Sequence, residues 1–404
     1  AQERLLGPDH EDTLASKYVL AGVHFNRGRW DEAANLWFDV LETRRRVFGE
    51  DHERLLSAML NVAAARKSQG RIEEAKAYYQ EALALSRREF GDEHEKTLNC
   101  LAAVATMGAE RGRFAEIEKI RVKILDIRRT TLGPDHPRTI QSMSALAYAR
   151  RRLGRHDGAE RLYVEALERA RRVLGNEHRT TLNVMSSLGS LYNEMGRAEE
   201  AEKLHVEVLE TRRRVLGEDH PKTQWSKYNL AWVRELQGRL AEAERLFSET
   251  LETRRRVLGE DHADTLWSKD RLARIYARQG RHDEAERMDR EALDGRRATL
   301  GDDHPDTIRS MNSLPWELLT GEPAGSRDPQ AALTLALEAN ERSEFRSSSH
   351  LDTLALAYHL TGNTEKAVVI QSKAISMLPA GESADRAALE ESLRTYEAAL
   401  EGGG

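Results

Sequence analysis

The chain has 404 residues, more than a single hydrophobic core usually serves, and its 32% charged and 39% hydrophobic residues with few prolines suit long, surface-rich helices. A formal net charge of −6, from 62 basic and 68 acidic side chains, argues against a polyanion held by bulk charge and so against a nucleic-acid partner. The single cysteine, Cys100, excludes an internal disulfide framework and fits a reducing, cytoplasmic compartment, and no apolar run is long enough to span a membrane.

In chain order, residues 1–10 read as the tail of a preceding repeat helix and its loop, without the apolar stretch of a signal peptide. The chain is therefore expected to be a piece of something longer. From there a histidine returns every 42 residues: His10, His52, His94, His136, His178, His220, His262 and His304. A glycine followed by arginine keeps the same beat at Gly28, Gly70, Gly112, Gly154, Gly196, Gly238 and Gly280. Two markers on one period indicate stacked repeats whose core grows in one dimension, with seven units over 11–300.

The sixth unit shows why each folds. Pro221 suits the first turn of a helix, and the residue before a proline avoids the α region, which puts His220 at or just outside the cap beside Asp219. Helix A is predicted over 222–237, a turn at Gly238-Arg239, and helix B over 241–257. Helix B carries an inward stripe of Ala243, Leu246, Phe247, Thr250 and Leu251. Arg254, Arg255 and Arg256 end it as cations at the negative pole of the helix dipole, and Gly259 stops it.

Later units depart from this pattern. An eighth unit over 301–346 holds Pro315 inside a helix at 306–320, which it is expected to kink or break. A long Gly/Pro turn at 321–329 precedes a helix at 330–342. A ninth unit over 347–380 shortens, marked by Leu354, Ala355, Tyr358, Gly362, Ala367, Ala374 and Pro379. Over 381–404, a helix at 384–400 with Leu389, Leu393 and Leu400 is expected to cap the last hydrophobic face, and Gly402, Gly403 and Gly404 form a tail.

The units resemble tetratricopeptide repeats, particularly the 42-residue kind of kinesin light chains. The small helix A residue of that family matches Ala21, Ala63, Ala105, Ala147, Gly189, Ala231 and Ala273. Its helix B alanine matches Ala33, Ala75, Ala159, Ala201, Ala243 and Ala285. In the third unit Ile117 replaces that alanine, so the interface there is expected to open or shift. The C-terminal end also resembles repeats of large bacterial Ser/Thr kinases. The resemblance implies an all-α, right-handed superhelical solenoid of stacked antiparallel helix pairs.

Chemistry is harder to place than architecture. The histidines occupy one loop position per unit and form a ladder, whereas zinc ligands must converge on one ion, so no metal site is expected. Arginines such as Arg44, Arg45 and Arg46 read as dipole partners on a solvated ridge. No phosphate loop, nucleophile elbow or cofactor motif occurs, Cys100 reads as a buried small hydrophobe, and an enzyme is not expected.

In the resembled family, fixed helix A positions line a concave groove. Carried onto this chain they include Tyr148, Arg151 and Arg152 of the fourth unit and Asn183 and Asn193 of the fifth. They continue with Trp225, Tyr228 and Trp232, then Trp267, Arg274 and Arg278, then Arg309 and Trp316. Four of the six tryptophans fall on these positions, and Trp and Arg dominate binding hot spots. The expectation is a protein-interaction adaptor whose groove takes a peptide with an apolar or aromatic anchor and acidic flanks. The tryptophans could instead stiffen the stack by packing between helices, or form a self-association surface. A regulatory or sensor region of a larger signalling enzyme, and a structural scaffold, are the competing functions.

Overall fold

A computed structural model describes residues 5–109, 113–321, 327–378 and 384–402. Gly112, most of the 321–329 turn, Pro379 and the terminal glycines beyond Gly402 lie outside the described residues. Among the described residues are nineteen α-helices and no strand. They form two compact units, Ala1–Gly238 and Arg239–Gly404.

In the first unit lie α1 (Glu11–Asn26), α2 (Trp30–Phe48), α3 (Leu55–Ser68), α4 (Ile72–Phe90), α5 (Glu95–Ala109), α6 (Phe114–Thr131), α7 (Pro137–Arg152), α8 (His156–Leu174), α9 (Arg179–Glu194), α10 (Ala198–Leu216) and α11 (Pro221–Leu236). The second holds α12 (Leu240–Leu258), α13 (Ala263–Arg278), α14 (His282–Leu300), α15 (Pro305–Thr320), α16 (Pro329–Arg342), α17 (Ser348–Leu360), α18 (Thr364–Ser376) and α19 (Ala384–Gly402). Within each unit every helix packs on its successor, giving stacked helix pairs.

In six of the eight repeats the recurring histidine is the helix N-cap itself. Its Nδ1 accepts a backbone N–H two residues on in all eight repeats, from Asp12 at 3.2 Å in the first to Asp306 at 3.1 Å in the last. That bond satisfies one of the orphan donors of the first turn and requires an imidazole that carries no proton on Nδ1. Three residues further, Thr97, Thr139, Thr181, Thr223 and Thr265 donate Oγ1–H to a carbonyl at the end of the preceding helix. Gly259 closes α12 at φ 100°, a conformation open to glycine without strain.

The Gly-Arg marker also has a physical cause. Gly280 turns the chain at φ 75°, and Arg281 reaches back to Glu244 at 2.8 Å while its guanidinium rests 4.2 Å from the Tyr276 ring. Arg197 repeats this with Glu160 at 2.7 Å and Tyr192 at 4.1 Å.

Two expectations need correction. First, α15 continues through Pro315, whose ring is buried, to Thr320. The helix is not broken, and Pro315 is buried along it together with Met311, Leu314, Leu318 and Leu319. Second, not every helix-end arginine lies on a solvated ridge. Arg128, Arg212, Arg254 and Arg296 are buried and bond the next repeat's serine: Ser142 at 2.9 Å, Ser226 at 2.8 Å, Ser268 at 2.8 Å and Ser310. Of the two places that the sequence leaves to His220, at the cap or just outside it, the structure has the cap.

At Ile117, which stays buried against Ala105, Phe114 and Ala149, a small cavity of about 210 Å³ opens between α4, α5 and α6. The final helix α19 covers α17 and α18 with Leu389 and the buried Tyr396, a residue the leucine pattern did not single out. Leu400 is exposed.

Candidate cleft of the second unit

Five of the thirteen groove candidates meet in one cleft of about 820 Å³ in the second unit: Trp267, Arg274, Arg278, Arg309 and Trp316. Helical spacing explains the meeting. Trp267, Asp270, Arg271, Arg274, Ala277 and Arg278 recur at steps of three and four along one face of α13. Arg309, Asn312, Ser313, Trp316, Glu317 and Thr320 do the same on α15. Helix α14 adds His282 and Asp289, and α17 adds Ser349, Asp352 and Thr353.

The rim is cationic and aromatic. Arg309 lies 4.5 Å from the Trp267 ring centre and pairs with Asp306 at 2.9 Å, while Arg271 lies 5.6 Å from the same ring. Trp316 is 45% exposed, an unusual state for so large an apolar ring.

The inner wall is acidic. Asp270 holds Arg296 through two bonds of 2.8 and 2.6 Å. Asp289 is 7% exposed and enters no hydrogen bond. Burial first, then the neighbouring Asp270 and Glu317, pushes its carboxyl well above the usual carboxylate range. Burial likewise raises Glu317, against the opposing pull of His282. Burial also raises Asp352, against a hydrogen bond from Gln371 at 2.8 Å.

His282 Nδ1 and Glu317 Oε2 stand 3.6 Å apart, and neither makes a hydrogen bond. Arg309 Nη2 and Asn312 Oδ1 are also buried without a hydrogen bond. Orphaned polar atoms collected at one cleft call for a physical account, since each costs free energy when left dry.

The other eight candidates lie in the first unit and divide. Trp225 is 47% exposed and stacks on Tyr228 at 5.1 Å, with planes 9° apart. Tyr228 itself is buried, so it backs the tryptophan and does not line an open groove. Trp232 is half-buried. Exposed Tyr148 carries the Arg151 guanidinium 5.4 Å from its ring centre, Arg152 lies 4.7 Å from Phe114, and Arg151 pairs with Glu194 at 3.2 Å. Asn183 spends its Oδ1 on Arg212 at 2.8 Å, and Asn193 is buried. Of the two positions that the resemblance marks, Asn183 is exposed and Asn193 is not.

Sequence reasoning missed His282 and Asp289 because it took the groove from helix A positions, and missed Glu317 and Asp352 because it took only a fixed subset of those positions and carried them no further than the eighth unit. A signal existed. At the 42-residue period, one helix B column reads Trp37, Tyr79, Arg121, Tyr163, His205, Phe247 and Asp289. Asp289 stands where four units place an aromatic ring.

Among the described residues no group of three or more His, Cys, Asp or Glu side chains is placed to hold an ion. Cys100 is buried, and burial raises its thiol despite a hydrogen bond with Ser86. Among the described residues no helix is long and apolar enough to cross a membrane.

The sequence model of the tetratricopeptide repeat matches residues 12–85, 55–118, 105–172, 142–210, 180–255, 233–298 and 267–316. Two solved structures, the first two named here, share the fold. The apo form of RapI is 15% identical with a TM-score of 0.51, over 70% of this chain and 97% of that one. A signal transduction ATPase with numerous domains from Pyrococcus horikoshii, which carries a tetratricopeptide repeat sensor, is 14% identical with a TM-score of 0.55. That alignment covers 92% of this chain and 55% of that one. Kinesin light chain repeats from Podosopora anserina are 25% identical with a TM-score of 0.44, over 51% of this chain and 98% of theirs. None of the curated proteins compared with the chain matches it.

Proposed function

Because the chain belongs to the tetratricopeptide repeat family, we propose that it is a non-catalytic adaptor that holds an extended segment of a partner protein in the cleft of α13, α14, α15 and α17. The observation that carries this reading is the convergence of Trp267, Arg274, Arg278, Arg309 and Trp316 on one concave surface. Aromatic and arginine side chains around a partly desolvated hollow are what binding hot spots are made of.

Arg274 and Arg278, both exposed, supply forks that pair with acidic residues flanking the bound segment. Trp316 offers an apolar face at the rim. Trp225 on its Tyr228 support, and the Tyr148 cluster, are secondary contact points in the first unit. The competing readings, a regulatory region of a signalling enzyme or a structural scaffold, leave the cleft without a role.

Affinity capture from native extract, comparing the intact chain with Trp316→Ala and Arg274→Ala, tests the reading. Both variants are expected to keep the helical circular dichroism of the intact chain and to lose most of the captured partner. Equal capture by all three rejects the cleft as the binding site.

A further inference from the structure

We propose that the inner wall of this cleft takes a cationic side chain, the ammonium or guanidinium of a lysine or arginine in the bound segment, seated against Asp289 and Glu317. This rests on the adaptor reading and specifies its partner.

The inference begins with Asp289. In the same helix B column, Tyr163 and Phe247 fill the space between repeats with buried rings, and Trp37 and Tyr79 do so almost completely. An aspartate at that place leaves volume empty and puts a carboxyl where burial disfavours its charge. It is more than nine-tenths buried, lines the cleft and makes no hydrogen bond. The nearby charges worsen its position: Asp270 and Glu317 repel it, and the attractive Arg296 is already clamped by Asp270 and Ser310.

Glu317 adds a buried carboxylate oxygen without a hydrogen bond, and Asp352 approaches from α17 with its carboxyl raised by burial. A wall that disfavours its own charges is stabilised by an incoming positive group, which supplies both the counter-charge and the missing donors. The exposed ring of Trp316 suits the aliphatic stem of such a side chain and attracts its cationic end.

An acidic or purely apolar anchor fits this wall worse. An anion would meet three carboxyls, and an apolar group would leave the polar atoms of Glu317, His282 and Asn312 dry. The exposed arginines outside then select acidic neighbours of the basic residue. The segment recognised is one basic side chain between acidic ones, not an apolar anchor.

The test uses the full chain and single-residue probes followed by calorimetry and tryptophan fluorescence: the Nα-acetyl amides of arginine, lysine, norleucine and glutamate. At least one basic amide should bind saturably and at least about tenfold tighter than the neutral norleucine isostere and the glutamate amide. Asp289→Asn should weaken it by a similar factor while the helical spectrum is kept and the melting temperature holds or rises, since a buried unpaired carboxyl is removed. Asp289→Phe, which restores the ring of the other repeats, should abolish binding with the same retained fold.

Norleucine amide binding as tightly as the basic amides overturns the proposal. So does unchanged binding by Asp289→Asn, or no saturable binding of either basic amide. If Trp316→Ala and Arg274→Ala lose the native partner while Asp289→Asn keeps it, the adaptor reading stands and the cationic anchor falls. If all three keep it, the adaptor reading itself falls.

Discussion

His205 shows how one residue departs from a repeat and what that costs. It occupies the aromatic column of α10, fully buried, with both ring nitrogens lacking a hydrogen bond. Gly189 makes its space, because a Cβ there would come within 2.8 Å of Nε2. Burial, with Arg212 adding to it, depresses the imidazole to about 4, below its ordinary 6.5. A base depressed in the folded state leaves the unfolded chain binding more protons between those two values, so its contribution is complete above about 6.5 and is lost as pH falls toward 4. The full loss is roughly 3 kcal/mol. The stability difference between the intact chain and His205→Phe, measured by urea unfolding from pH 7 to pH 4, is expected to move by that amount against the intact chain. A difference that stays flat with pH would show that the ring is not held neutral.

At the scale of helices, the stack depends on bonds that recur at the repeat period. The buried first arginine of a triplet clamps the next helix pair, while the third pairs with the loop before it: Arg172 with Asp135 at 2.6 Å and Arg214 with Glu177 at 2.7 Å. Such exposed pairs are each worth little, about 0–1 kcal/mol, but they occupy the arginines that would otherwise form a cationic ridge. Helix α15 is the element where the local rule and the packing disagree. Pro315 removes one backbone donor, and proline inside a helix costs about 3 kcal/mol against alanine, the residue most other repeats use there. Part of that is returned by the stiffer unfolded chain and by ring packing, so Pro315→Ala should stabilise by roughly 1–2 kcal/mol. Thermal melts decide it. A lower melting temperature would mean that the proline ring is needed as core filling.

For the whole molecule, a stack in which each helix packs on its sequence neighbours should lose stability locally. Phe247 is fully buried in α12, and its loss to alanine typically costs 3–5 kcal/mol. Hydrogen exchange in Phe247→Ala should accelerate most in α12, α13 and α14, with α17, α18 and α19 nearly unchanged. Uniform acceleration across the second unit would instead mark it as one cooperative block. Because α13 and α14 carry part of the cleft, Phe247→Ala should weaken its probe affinity as well.

Helix pairs, turns and repeat length were legible in the amino-acid order because their causes are local. A proline in the first turn, a glycine at positive φ and an apolar stripe at steps of three and four act within a few residues, and the period multiplies the signal. Much of the cleft rim came from the resemblance to the repeat family, whose fixed helix A groove positions fall on Trp267, Arg274, Arg278, Arg309 and Trp316. What faces them was not legible. Asp289, Glu317 and Asp352 belong to three helices, and only packing decides that they meet at one wall and lose their solvent together. Tertiary structure likewise decided that Tyr228 and Asn193 are buried, that Arg254 is a clamp and that Pro315 does not end its helix. Burial and charge proximity depend on residues far apart in the chain, and no local pattern encodes them.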